Sequence, residues 1–353
     1  MSHLVDTHTD RKLVVLTEGH TNPITAKTAS SVLRYCADQV QALFDTTEVG
    51  KSADELLGVG AATPVIGTLD DVPGANALMI GIAPAGGRIP AAWRTIVLEA
   101  IRRKMDVISG LHDFLSDDPE FVLAAEQQGV RLIDVRRNQE HDVANRVGIS
   151  DQCLRIQTVG NDCCVGKMVA AIEMTLALKA QGCDAKFVAT GQTGILISGE
   201  GCPIDCVVSD FVSGAAEKLI INNQNHEMLL IEGQGSLAHP RYSAVTLGLL
   251  HGCLPHGLVM CYEAGREGVH SMEHISLASL SHLKTVYETM ANVMHPCRVI
   301  GVAMNSRLLS EKAAAVERRR VQDELGVPAC DVFRHGPDDL VKAVQDLQAE
   351  VIA

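Results

Sequence analysis

Apolar and polar positions alternate along the chain in two kinds of segment. "KLVVLTEG" (12–19) is a short apolar run closing in turn residues, which predicts a strand, with a helix to follow from near Thr25. "ALMIGIAP" (77–84) is a continuous apolar run of buried-strand length that ends in the turn "AGGRIP". Trp93, Ile96, Val97, Ala100 and Ile101 then recur at helical spacing. "MDVISGL" predicts a strand, "PEFVLAAEQQG" a helix stopped by Gly129, and "VRLIDVR" another strand.

The polar stretch "RRNQEHDVANRVGISDQ" separates this half from the next, so two domains are expected, 1–150 and 151–353. The second opens on the strand "LRIQTVG", followed by a glycine-rich loop and a helix through about Gln181. Strands "DAKFVATG", "EMLLIEGQG", "HGLVMCYEAG" and "CRVIGVAMN" come after it, and a helix spans about 310 to 325. Arg318, Arg319 and Arg320 on that helix read as a solvated face. Strands alternating with helices predict an α/β protein whose parallel sheets are joined by crossover helices.

Composition narrows the picture. Hydrophobic residues make up 46% of the 353, charged residues 21% and aromatics 3%, so the core is built from small aliphatic side chains. A net charge of −13 with few stacking rings argues against nucleic acid. "MSHLVDTHTDRKLVV" lacks the apolar centre of a signal peptide, and the apolar stretch 244–261 is broken by Gly, Pro and His, so no membrane partner is expected. Eleven cysteines, an odd number in a large chain, predict reduced thiols and a cytoplasmic protein. Cys202 and Cys206 have no second ligand pair nearby, and no zinc site is expected. The expected partner is a small-molecule substrate, for a chain that forms a homo-oligomer.

The strongest chemical signal is "GNDCCVGKM", residues 160–168. Gly160, Asn161, Asp162, Cys163, Cys164, Val165, Gly166 and Lys167 follow the spacing of a P-loop, between a strand and a helix. Backbone N–H groups there form an anion nest, the helix adds its positive end, and Lys167 adds a charge. Met168 stands where magnesium-dependent P-loops carry Ser or Thr, and a thioether is a poor ligand for a hard cation. Either another carboxylate recruits the metal, or the loop holds a pyrophosphate that is bound but not cleaved, as in acyl-coenzyme A.

Other strand ends supply further candidates. Glu232 in "LLIEGQGSLAHP" is placed to hold a metal-bound water or to act as a general base with a raised pKa, and His239 is near it in sequence. Gln192 and Thr193 suit substrate contacts or a mobile loop, and Asp205 and Asp210 suit a cation or a helix cap. Asn305 ends a strand where P-loop proteins contact a nucleotide base. Arg88, His112 and Asp113 either face a crevice between the halves, with "APAGGRIP" as a second anion nest, or serve as turn and capping residues. "HSMEH" (270–274) has the spacing of an inverted zinc-peptidase motif, but Gly265 and Gly268 upstream predict a loop there instead.

Taken in order, "GIAPAGGRIP", "SGLHDFL", "GNDCCVGKM", "ATGQTG", "EGQGSLAHP" and "GLLHGCLPHGLVMC" resemble a family long catalogued as a domain of unknown function, most firmly over residues 77–336. The resemblance implies a Rossmann-like N-terminal half and a P-loop NTPase-like C-terminal half. It also implies amino-acid N-acetyltransferase activity, since the family includes a D-glutamate N-acetyltransferase of D-glutamate catabolism. Where the family pattern has Thr-Asp-Cys at the loop, this chain has Asn161, Asp162 and Cys163, followed by Cys164.

On that reading acetyl-CoA is the co-substrate, its phosphates lie on residues 160–168, and no metal is used. Glu232 is the first choice as base and His239 the second, with backbone N–H groups of Gly233 to Gly235 facing the thioester oxygen. Arg88 pairs with a substrate carboxylate, and His112, Gln192, Thr193 and Gln234 complete the acceptor site. The alternative is a small-molecule ligase or kinase of the dethiobiotin-synthetase-like class. It would use ATP with magnesium held by Asp162, Asp205 or Glu232.

Overall fold

The computed structural model describes residues 11–82 and 87–352. They form two compact units. One runs up to Arg137 and includes Ile195–Pro203, and the other is Asn138–Gly194 with the residues from Ile204 onward.

The first unit is a parallel sheet of β1 (Leu13–Leu16), β2 (Val40–Phe44), β3 (Val65–Ile66), β4 (Ala77–Ile80), β5 (Asp106–Ser109) and β6 (Leu132–Asp134). Its order, β3-β2-β1-β4-β5-β6, is the doubly wound order of Rossmann-like folds. Helices α1 (Lys27–Tyr35), α2 (Ala53–Leu57), α3 (Arg94–Arg102) and α4 (Pro119–Gln128) make the connections. The stop read in the sequence works as expected, with Gly129 ending α4 in a left-handed conformation, while Asp118 caps the helix and Pro119 opens it.

The second unit begins with β7 (Leu154–Gly160), α5 (Lys167–Ala180), β8 (Ala185–Val188) and the first three residues of α6 (Gln192–Ser198), and continues with α7 (Val212–Asn223), β9 (Met228–Ile231) and α8 (Ser243–Cys253). After β10 (Gly257–Glu263), a small antiparallel hairpin, β11 (Gly268–Val269) with β12 (Met272–Ser276), leads into α9 (Leu280–Asn292). The chain closes with β13 (Arg298–Asn305), α10 (Glu311–Leu325), β14 (Ala329–Cys330) and α11 (Asp338–Val351). The main sheet is parallel, in the order β14-β13-β10-β7-β9-β8. Strand order reverses between β7 and β10, so the loop after β7 lies at the topological switch point, where such sheets bind ligands.

Every residue of β7 is buried because helices cover both faces of the sheet. On one face Leu154 and Ile156 meet Ala171, Met174 and Leu178 of α5 and Leu340 and Val344 of α11. On the other, Val159 meets Leu283 and Tyr287 of α9. Small aliphatic packing of this kind is what the scarcity of aromatics predicts. The stretch 244–261 divides into α8 and β10, and among the described residues no helix is long and apolar enough to cross a membrane. "HSMEH" is not the loop expected from its glycines: it bends at His270 and Ser271 into β12. That geometry keeps its histidines off any common helix face.

Candidate active site

The loop from Gly160 to Lys167 is built as an anion cradle. Cys164 (φ +57°) and Gly166 (φ +103°) both have positive φ, the kind of backbone turn from which anion nests are made. A non-glycine residue pays about 1 kcal/mol or more for that conformation, so its presence at Cys164 points to function. Lys167 opens α5, is buried, and donates from Nζ to the carbonyl of Asp162 at 2.8 Å. Met168 behind it is half-buried. The loop is pinned at its base by Tyr287, whose hydroxyl donates to the carbonyl of Gly160.

Asp162 is the inner anchor of the loop. One carboxylate oxygen accepts from Arg266 Nη1 at 2.9 Å and from the His270 N–H at 2.7 Å, and the other accepts from the Cys163 N–H at 2.7 Å. Arg266 also pairs with Glu263, which Arg307 approaches from the other side. Burial works against ionisation of Glu263, yet Arg307 and Arg266 outweigh it and hold the carboxyl below its usual range. The buried His239 sets Nε2 at 3.7 Å from Asp162, while its Nδ1 accepts from the Arg241 N–H at 3.1 Å. With Nδ1 accepting that N–H, the ring hydrogen sits on Nε2, which is turned toward the loop as a donor.

Asp162, Cys163 and His239 bring their donor atoms within 4.8 Å of one another. Their chemistry suits hydrogen bonding better than a cation. Asp162 is already matched by a guanidinium, burial pushes the Cys163 thiol up to about 11, and the histidine offers N–H rather than a lone pair. Two buried polar atoms at the loop, Asn161 Oδ1 and His239 Nε2, have no hydrogen-bond partner among the described residues. Buried polar atoms are rarely left so, and a bound ligand or water is the usual reason.

Glu232 follows β9 and is almost fully buried. One of its carboxylate oxygens accepts from the Thr190 N–H at 2.9 Å and the Gly191 N–H at 3.0 Å. Burial pushes its pKa up to about 7, with Asp205 adding to the rise and the two N–H groups and Lys167 opposing it. Gln234 Nε2 donates to Thr190 Oγ1 at 3.2 Å, which ties the two loops together. The N–H of Gly233 donates to Thr158 Oγ1 at 2.9 Å, so it is spent in holding adjacent strands and is not the oxyanion donor expected of it.

Residues 142–341 match the family model DUF1611_C, described as a P-loop domain of unknown function, and residues 46–138 match DUF1611_N, described as a Rossmann-like domain. The chain belongs to the DUF1611 family. A crystal structure of a DUF1611 family protein from Anabaena variabilis superposes with a TM-score of 0.91 at 33% identity, covering 96% of this chain and all of that one. A D-glutamate N-acetyltransferase of Tritonibacter scottomollicae is 38% identical over 273 residues, 77% of this chain and 81% of that protein. Another, from a Pseudoalteromonas species, is 38% identical over 269 residues, 76% of this chain and 81% of that protein. This member of the DUF1611 family is an N-acetyltransferase.

The candidates read from its sequence fall in both units. Gly160–Met168, Glu232, Gln234 and His239 line adjoining strand ends of the second unit, and Gln192 and Thr193 open α6 beside the Glu232 donors. Asn305 closes β13, where its Oδ1 accepts from the Arg307 N–H at 3.2 Å. Arg88 and His112 belong to the first unit, and both are exposed. The backbone N–H groups of His112 and Asp113 donate to the Gly87 carbonyl. The rest of the expected nest, residues 83–86, lies outside the described residues. For Asp210, α7 has no side-chain cap. Arg266, Glu263, Tyr287 and Thr190 were not singled out by sequence, because each acts through a partner far along the chain.

Proposed function

We propose that this enzyme transfers the acetyl group of acetyl-CoA to the amino group of D-glutamate or a closely related D-amino acid. The observation that carries the reading is the pairing of an anion-binding loop lacking a magnesium hydroxyl with a buried carboxylate of raised proton affinity. The names of the two relatives supply the acceptor.

Residues 160–167 suit a pyrophosphate: the loop has the positive-φ turns of an anion nest, Lys167 Nζ can leave the Asp162 carbonyl for a phosphate oxygen, and His239 Nε2–H is an uncommitted donor. Glu232, ionised above about pH 7, takes a proton from the substrate ammonium. The neutral nitrogen then attacks the thioester carbonyl, the C–N bond forms, the C–S bond breaks, and the released thiolate takes up a proton. Eleven free cysteines fit work in the reducing cytoplasm.

The magnesium–nucleotide alternative would ask Glu232 to hold a hydrated cation. Two backbone donors already on one oxygen, and a pKa near 7, oppose that role. The test is an assay of purified protein with acetyl-CoA and D- or L-glutamate, with EDTA present and no ATP. N-acetylglutamate and free coenzyme A should form in equal amounts, faster from the D-isomer. Product that forms only with ATP and magnesium, or ADP release that tracks turnover, would sink the proposal.

A further inference from the structure

Residue 194 is the third position of α6, and its φ lies outside the left-handed region. Alanine is the better helix former at such a place, so backbone conformation gives no reason for glycine. Space does. A Cβ on Gly194 would stand 2.4 Å from Glu232 Oε2 and 3.2 Å from its carboxyl carbon. A Cβ on Gly191 would stand 2.5 Å from Gln234 Nε2 and 3.2 Å from Glu232 Oε1. Both glycines therefore exist where the Glu232 carboxylate needs room, while the N–H groups of Thr190 and Gly191 grip its Oε2.

We propose that the segment Thr190–Gly194 is the positioning device for the catalytic carboxylate. In it Gly194 is the residue that lets Glu232 Oε2 seat on its two backbone donors, so that Oε1 is presented to the substrate ammonium. This rests on the reading of Glu232 as the proton acceptor. With Oε2 fixed, the carboxylate keeps one position relative to Lys167 and Asp205, whose charges act on it in opposite directions. The clamp sets both where the proton is taken and how strongly it is held, because hydrogen bonds to the ionised form favour that form.

The decisive variant is Gly194→Ala. The new methyl meets the end of the Glu232 side chain at 2.4 Å and the Ala189 Cβ at 3.1 Å, so the carboxylate moves while the helix gives by only a few tenths of an ångström. Melting temperature and KM for acetyl-CoA should remain those of the parent. Turnover should fall roughly 10- to 100-fold, as expected of a reacting group displaced by about an ångström. The acid limb of the kcat profile should move to higher pH, since lost N–H donors favour the neutral acid. In a Glu232→Gln background the same change should cost no further turnover, because the amide it displaces is no longer a base.

Unchanged turnover and an unmoved acid limb in Gly194→Ala would overturn the proposal. So would an equal loss in the Glu232→Gln background, which marks a general structural effect. Full turnover in Glu232→Gln alone would overturn the underlying reading, and the clamp with it. Should Gly194→Ala fail to fold, the double variant Gly194→Ala/Glu232→Asp decides. Its shorter acid clears the methyl, so recovery of cooperative melting supports the clamp and failure to recover overturns it.

Discussion

The hydroxyl of Tyr287 donates to the carbonyl of Gly160 at 2.8 Å and at the same time accepts from the Leu237 N–H at 3.1 Å. One buried oxygen thus joins α9 to the last residue of β7 and to the stretch that follows β9. Tyr287→Phe would leave both backbone groups without this partner inside the protein. The expected cost is about 1–3 kcal/mol in urea unfolding, with a higher KM for acetyl-CoA as the loop loses its base. A variant with the parent's stability and KM would show that Tyr287 only fills space.

Glu232 makes stability depend on pH in a defined direction. Its pKa is about 7 in the folded protein against 4.5 for an ordinary glutamate, so the folded state holds a proton that the unfolded chain releases between those values. Stability from this group is fully present below pH 4.5 and is lost as pH rises through 7. Above pH 7 the ionised carboxylate costs on the order of 3 kcal/mol. Glu232→Gln should therefore exceed the parent in stability at pH 8, with the difference vanishing below pH 4.5, while turnover drops by about 10²–10⁴-fold. Parallel stability curves for the two proteins would refute the buried base.

Lys167→Ala removes the one lysine that opens α5 at the cradle and frees the Asp162 carbonyl it holds. The fold should survive, since the helix start retains Gly166 and its left-handed turn. Titration calorimetry should show acetyl-CoA binding weakened by about 10-fold or more, the scale of a charge-assisted phosphate contact. Equal affinity in the variant and the parent would remove residues 160–167 from the binding site.

Met168→Thr restores the hydroxyl that magnesium-dependent loops use. In an acyl transferase that only anchors pyrophosphate it should bring no gain in turnover, with or without added magnesium. The half-buried position should lose up to about 1–2 kcal/mol of stability through poorer packing. Activity of the parent that vanishes in EDTA, or is raised by threonine only when magnesium is supplied, would count against metal-independent transfer.

Much of this architecture could be read from local pattern, and what escaped has a common cause. β7 and α5 were legible because an unbroken apolar run, a glycine-bounded loop and a long aliphatic helix follow one another. Val40–Phe44 carries only a weak pattern, since polar Gln41 breaks a run of five residues, and Val65–Ile66 is too short to carry one. Glu232 stood out at a strand end, whereas its clamp did not, because Thr190 and Gly191 lie 42 and 41 residues away. Arg266 is 104 residues from Asp162, and Tyr287 is 127 from Gly160. Gly233 was misread as a free donor because sequence does not reveal that a neighbouring strand's Thr158 already takes its N–H.

Cys164 is the exposed cysteine of the chain, and it sits on the left-handed turn of the phosphate loop. Its neighbour Cys163 is half-covered, with a thiol pushed up to about 11 by burial, and so reacts slowly with alkylating reagents. The protein therefore carries a native footprinting probe at the rim of its own cradle. A maleimide attached at Cys164 would plug the loop, and a ligand already seated there would shield the thiol. The rate of labelling at that single position, followed by mass spectrometry, reports loop occupancy for any candidate acyl donor without an engineered tag.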